Sequence, residues 1–198
     1  MYARTTVIVL AVLSSALWIT PPAAAQAGTV SGIITAKGLR SNAGIVVSLE
    51  APNLDVVAPQ EPVEMDQKGM EFIPHVLPVV TGTTVRFLNS DAVAHNVFSP
   101  DGKYNLGTWA TGETRDQLFG KPGVNTQLCR VHAEMEAYVV VLATPYFATT
   151  DKSGSFEITD VPAGTYTLVT WSEKLKSVEQ EVTVEAGKVA TVDLTMTR

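Results

Sequence analysis

The chain carries strand signals along most of its length and no long segment with a helical period. Short runs rich in Val, Ile, Thr and aromatic residues cover 29–35, 45–49, 76–80, 84–88, 138–142, 155–158, 165–170, 181–184 and 189–195, and Gly, Pro, Asn or Asp turns separate them. This pattern predicts an all-β protein built from sandwiches or barrels. A length of 198 residues has room for two small domains.

Turn chemistry separates two modules. The tail carries Thr150-Asp151-Lys152-Ser153-Gly154-Ser155-Phe156, Pro162-Ala163-Gly164-Thr165-Tyr166 and Glu185-Ala186-Gly187-Lys188, each a turn followed by a strand. These strands are too few to close a sandwich. The missing ones are expected at the front, where Gly28-Thr29-Val30-Ser31-Gly32 and the run from Ala43 to Leu49 frame a hairpin. The set resembles the carboxypeptidase regulatory-like, transthyretin-like family of small β-sandwiches, which open on G-x-V-x-G and continue with T-D-x-x-G-x-F and P-x-G-x-Y. The resemblance covers both ends of the chain. It implies a discontinuous sandwich, 28–52 plus 146–198, with a second domain, 53–145, inserted between its strands. Insertion is tolerated where the host backbone is exposed. The stretch 53–62 reads as the linker into the insert, and Trp171 is expected in the core of the host sandwich.

Residues 1–27 read as a secretory signal peptide, with Arg4, an apolar run from Val7 to Ile19, Pro21-Pro22 and the small residues Ala23-Ala24-Ala25. The apolar run falls short of the ~20 residues a spanning helix needs, and no second run of membrane length follows. The mature protein is therefore expected to be periplasmic or otherwise exported, without a membrane span. The formal charge is -6 and becomes one unit more negative when Arg4 leaves with the leader. Such a surface argues against nucleic-acid binding, which relies on clustered Lys and Arg, and permits docking to a basic partner. A single cysteine closes no internal disulfide, so Cys129 is a buried apolar residue, an intermolecular link or a functional thiolate.

The neighbours of Cys129 bear on that choice. Leu128-Cys129-Arg130-Val131-His132-Ala133-Glu134-Met135 spells C-x2-H-x2-M, a thiolate, an imidazole and a thioether that one tight loop can turn inward. Soft donors of this kind suit copper, and a type 1 site needs a second imidazole from a distant part of the chain. Upstream, Gly82, Val85, Phe87 and Asn89 form a G-x-x-V-x-F-x-N strand that ends in a loop presenting His95. This order of donors resembles the cupredoxins, and the short C-x2-H-x2-M loop looks most like the amicyanin end of that family. The resemblance, over about 71–142, implies a Greek-key β-sandwich. It also implies one copper ion cycling between Cu(I) and Cu(II), held by His95, Cys129 and His132 with Met135 as axial thioether. Asn96 would tie the two ligand loops together without touching the metal. His75 is a further candidate ligand, although the cupredoxin pattern asks for none on its strand. Trp109, Phe119 and Phe87 read as aromatic packing.

A longer resemblance adds Met65-Asp66-Gln67, Phe72-Ile73-Pro74-His75-Val76 and Thr144-Pro145-Tyr146-Phe147. Together with the donor loops they are similar to the exported methylamine utilization protein-like group, which fuses plastocyanin-like and carboxypeptidase regulatory-like segments. One departure is visible: Cys129-Arg130-Val131-His132 stands where the group has C-N-I-H. The implied role is shuttling single electrons between periplasmic redox partners such as a cytochrome or an oxidoreductase. Two alternatives stay open, a periplasmic copper carrier or buffer, and carbohydrate binding by the regulatory-like sandwich. Catalysis is not expected, because four protein donors leave no position for substrate. The chain also lacks a G-x-S-x-G elbow, a P-loop and an H-E-x-x-H motif.

Overall fold

The computed structural model describes residues 27–198, so the leader expected over 1–27 lies outside the described residues except for Ala27. Every regular element among them is a strand. The first part of the chain forms β1 (Gly28–Ala36), β2 (Val46–Glu50), β3 (Val63–Gln67), β4 (Phe72–Ile73), β5 (Val76–Val80), β6 (Thr83–Leu88), β7 (His95–Ser99) and β8 (Tyr104–Trp109). There follow β9 (Thr114–Phe119), β10 (Gly123–Leu128), β11 (Glu136–Leu142), β12 (Phe147–Thr149), β13 (Ser155–Val161), β14 (Gly164–Trp171), β15 (Glu179–Val184), β16 (Val189–Thr191) and β17 (Leu194–Met196). The protein is all-β, as the strand and turn pattern predicts.

The strands pair in two sets. One set contains a sheet of order β13-β1-β16, with β17 also on β1, and a sheet of order β12-β2-β14-β15. Val30 and Ile158 of the first sheet and Leu49, Leu168 and Val182 of the second share one buried cluster. The other set contains β5-β11-β10-β7-β8 and β4-β3-β6-β9. Its core takes Val79, Val97 and Val139 from the first sheet and Met65, Val85 and Phe87 from the second. Phe87, Trp109 and Phe119 all lie in this core, as aromatic packing requires.

Two expectations about the first set need correction. The segments 28–32 and 43–49 do not form a hairpin with each other: β1 pairs with β13, β16 and β17, while β2 pairs with β12 and β14. The run 189–195 is also two strands, both parallel to β1. At the step between them the Val192 N–H donates to Ser31 O, and Asp193 Oδ1 accepts the Ile33 N–H. Gly32 sits against this step, where a Cβ would lie 1.8 Å from Val192 O. The G-x-V-x-G pattern thus has a steric cause, a backbone crossing too close for any side chain.

The tail motifs have equally local causes. Asp151 Oδ1 accepts N–H groups from Ser153 at 2.8 Å and Ser155 at 2.9 Å, closing an Asx turn. The Ser153 hydroxyl, which donates to the same oxygen at 2.6 Å, and then these backbone bonds hold its carboxyl below the usual carboxylate range. The Tyr166 hydroxyl donates to Pro162 O at 2.9 Å and pins the P-x-G-x-Y turn. Trp171 is not in the core of the first set. It packs with Val46, Val140, Leu142 and Tyr138 in a separate cluster between the sets, its ring 5.4 Å from that of Tyr138. The cause is the alternation of β14, whose Tyr166 and Leu168 point into the first core and whose odd-numbered positions point away from it.

Replacing Gly32 by valine is expected to cost about 2 kcal/mol or more through overpacking. Urea unfolding checks this, and an unchanged midpoint would contradict the crossing.

Candidate metal centre

The loop 129–135 joins β10 to β11, and the flanking residues Leu128 and Glu136 are paired across the hairpin. Within the loop the Cys129 N–H donates to Met135 O at 3.3 Å, and the Met135 N–H donates to His132 O at 3.2 Å. These two bonds wind the C-x2-H-x2-M sequence so tightly that Cys129 and Met135 both become buried. The second donor loop arrives on β7, which pairs with β10 through Phe98 and Leu128. His95, at the start of β7, is fully buried.

His95, Cys129 and His132 meet, with one ligand atom from each lying within 4.8 Å of the others. The two imidazoles turn Nδ1 toward Nδ1 at 3.0 Å. Two ring nitrogens facing each other beside a thiol sulfur, with no carboxylate or carbonyl between them, form a donor set suited to a cation of copper's softness. Met135 lies in the same buried cluster as Cys129. His75 lies apart from this group. Its Nδ1 contacts Glu136 O at 3.0 Å and its Nε2 contacts Glu173 at 3.2 Å.

Asn96 ties the two loops by two bonds and holds β8 by two more. Its backbone N–H donates to Cys129 Sγ at 3.4 Å, and its Oδ1 accepts the Arg130 N–H at 3.4 Å. Its Nδ2 donates to Asn105 Oδ1 at 2.8 Å and Gly107 O at 2.7 Å, joining β8 to the same network. Arg130, the departure noted in the sequence, lays its guanidinium over the Phe98 ring at 4.8 Å.

Sequence reasoning placed a loop before His95 but missed the residues that anchor it. Asn89 is buried, and its Nδ2 donates to Val93 O and Trp109 O. Asp91 Oδ2 lies 2.7 Å from His95 Nε2. Backbone N–H groups of Met70 and Gly69, and then His95 itself, pull the Asp91 carboxyl down to about 2. Its charge is therefore present at neutral pH, and the stability it contributes is lost only as the pH falls toward that value. The one signal available was the turn chemistry of Asn89-Ser90-Asp91, which indicates a loop but not its target.

Residues 133–197 match the family described as carboxypeptidase regulatory-like domain. The match starts inside the donor loop and takes in β11, a strand that pairs with β5 and β10 in the other set. No curated protein matches the chain. Among solved structures it is similar to a purple cupredoxin from Nitrosopumilus maritimus at 26% identity, over 40% of this chain and 99% of that one, with a TM-score of 0.37. It is similar at 26% identity to a Cu-containing nitrite reductase from Thermus scotoductus, over 48% of this chain but only 25% of that one, with a TM-score of 0.40. A reduced Cu(I) form of an amicyanin variant is 22% identical over 48% of this chain and 98% of that one, with a TM-score of 0.40.

Alanine at Asn96 is expected to lower the stability of the metal-free protein by about 2 kcal/mol, because the bonds its buried amide makes to Asn105, Gly107 and Arg130 are lost together. Chemical denaturation with the metal removed measures it; an unaltered midpoint counts against the network. The protein thus combines a match to the carboxypeptidase regulatory-like family over its C-terminal third with an all-β fold that has cupredoxins among its structural neighbours.

Proposed function

We propose that this is an exported type 1 copper protein that carries single electrons between redox partners. The observation that carries the reading is the meeting of His95, Cys129 and His132 from two remote loops. His95 and His132 would bind through imidazole nitrogens, Cys129 through its thiolate, and Met135 as the weak axial donor. When bound, one copper ion supplies a one-electron Cu(I)/Cu(II) couple. The protein's part is to hold the donors still: the short loop bonds and the Asn96 network constrain the site from both sides.

Burial argues for electron passage over release of the ion. His95, Cys129 and Met135 are buried, while His132 is half-buried and is followed and preceded by exposed residues, among them the apolar Val131. The His132 ring is then the natural edge for electrons to enter and leave. With four donors engaged there is no position for a substrate, so we read the protein as a carrier and not an enzyme. The partner would be a cytochrome or an oxidoreductase, and an acidic chain favours one with a basic surface. No helix among the described residues is long and apolar enough to cross a membrane. We further read 53–145 as the copper-holding sandwich and 28–52 plus 146–198 as the sandwich that carries it; in support, no strand pair joins the two sets.

The oxidised, copper-loaded protein is expected to show an intense visible thiolate-to-copper absorption that Cys129→Ser abolishes. A copper-loaded wild-type protein without that band would defeat the reading. Shuttling further requires that electrons pass to a cytochrome faster than Cu(I) passes to a metal-free acceptor, which stopped-flow mixing compares directly.

A further inference from the structure

We infer that Asp91 is a positioning residue of the metal centre, fixing the tautomer of His95 and tying that ligand to the turn between β3 and β4. The inference rests on the copper reading for its effect on the metal, but its structural half concerns the metal-free protein alone.

A neutral imidazole carries one N–H and one lone pair, and the partner of one nitrogen decides the state of the other. An ionised carboxylate only accepts, and Asp91 Oδ2 lies 2.7 Å from His95 Nε2. The proton therefore sits on Nε2, and Nδ1 presents its lone pair toward His132. A fully buried ring with both nitrogens committed has no freedom to flip. Outer partners of this kind orient a ligand and raise its basicity.

Asp91 is itself held at every polar atom. Its Oδ1 accepts the Gly69 N–H at 2.6 Å and its Oδ2 accepts the Met70 N–H at 2.9 Å. Its backbone N–H donates to Asn89 Oδ1 at 3.0 Å, and its carbonyl accepts the Thr111 hydroxyl. Gly69 and Met70 have φ of 68° and 62°, the left-handed pair of a tight hairpin turn. Such a conformation is uncommon for methionine, and here it aims two adjacent N–H groups at one carboxylate. Residues with no place in the donor motifs thus set the orientation of a donor.

Nitrogen-15 NMR of the metal-free wild-type protein tests the structural half without any variant. The expected spectrum has His95 protonated on Nε2 and bare on Nδ1; a proton on Nδ1 overturns the inference. Asp91→Ala, which removes the acceptor, is expected to give a mixture of the two neutral forms. Asp91→Asn, which removes the charge at constant size, is expected to weaken copper binding by roughly 10–100-fold and to raise the reduction potential. Asp116→Asn removes a carboxylate paired with exposed Arg86 and serves as the charge control, with neither quantity expected to move. A folded Asp91→Asn protein with wild-type affinity and potential also overturns the inference while leaving the copper reading intact. If the wild type forms no copper-thiolate centre, the copper reading fails separately, and the His95 tautomer alone decides for or against Asp91.

Discussion

The pairing of β7 with β10 is the constraint on which the site depends. Two strands from distant parts of the chain become neighbours, and the start of one then lies beside the end of the other. His95 comes next to Cys129 for that reason, and the Asn96 N–H falls within reach of the sulfur. A backbone donor aimed at a sulfur is part of the strand geometry and involves no flexible side chain, so its direction is set as soon as the sheet forms. The amide of the same residue reaches Arg130 and β8, and one asparagine thus spans three segments.

Around this contact the molecule is organised to keep donors still. The hairpin β10–β11 closes the donor loop with two short-range bonds, and the loop 89–94 is pinned by Asn89 and Asp91. Burial strengthens each of these interactions and raises the penalty for leaving any of them unmade. Between the two strand sets, the Trp171 ring packs at a tilt against that of Tyr138, and His75 bridges Glu136 O to Glu173. Glu136 directly follows Met135, so the junction between the sets begins one residue from the donor loop.

Much of the fold was legible because alternation and turn chemistry are local. The runs 76–80, 84–88 and 138–142 alternate or are buried on both faces, and each is a strand. Strands such as Thr114–Phe119, sequence Thr-Arg-Asp-Gln-Leu-Phe, escaped notice because only Phe119 is buried and the rest face outward or sit half-buried. With one apolar contact there is no period to read, and β9 exists because β6 supplies a full ladder of partners. The hairpin expected at the front failed for a related reason: strand propensity says that β1 and β2 are strands but carries no information on which partner each one takes.

Residue identities alone determined the all-β class, the donor types and the glycine and aspartate turns of the tail, since sterics and coordination chemistry act within a few residues. The C-x2-H-x2-M spacing belongs with these, because a seven-residue loop can wind in few ways that bury its sulfurs. Only the tertiary structure decided that His75 stands apart, that Trp171 serves the junction, and that Asp91 and Asn89 hold the His95 loop. Asp91 and Asn89 reach the His95 loop across only four residues, but Gly69, Met70 and Trp109 fix them there, as Glu173 fixes His75 and Tyr138 meets Trp171, and no local pattern encodes partners so far apart in the chain.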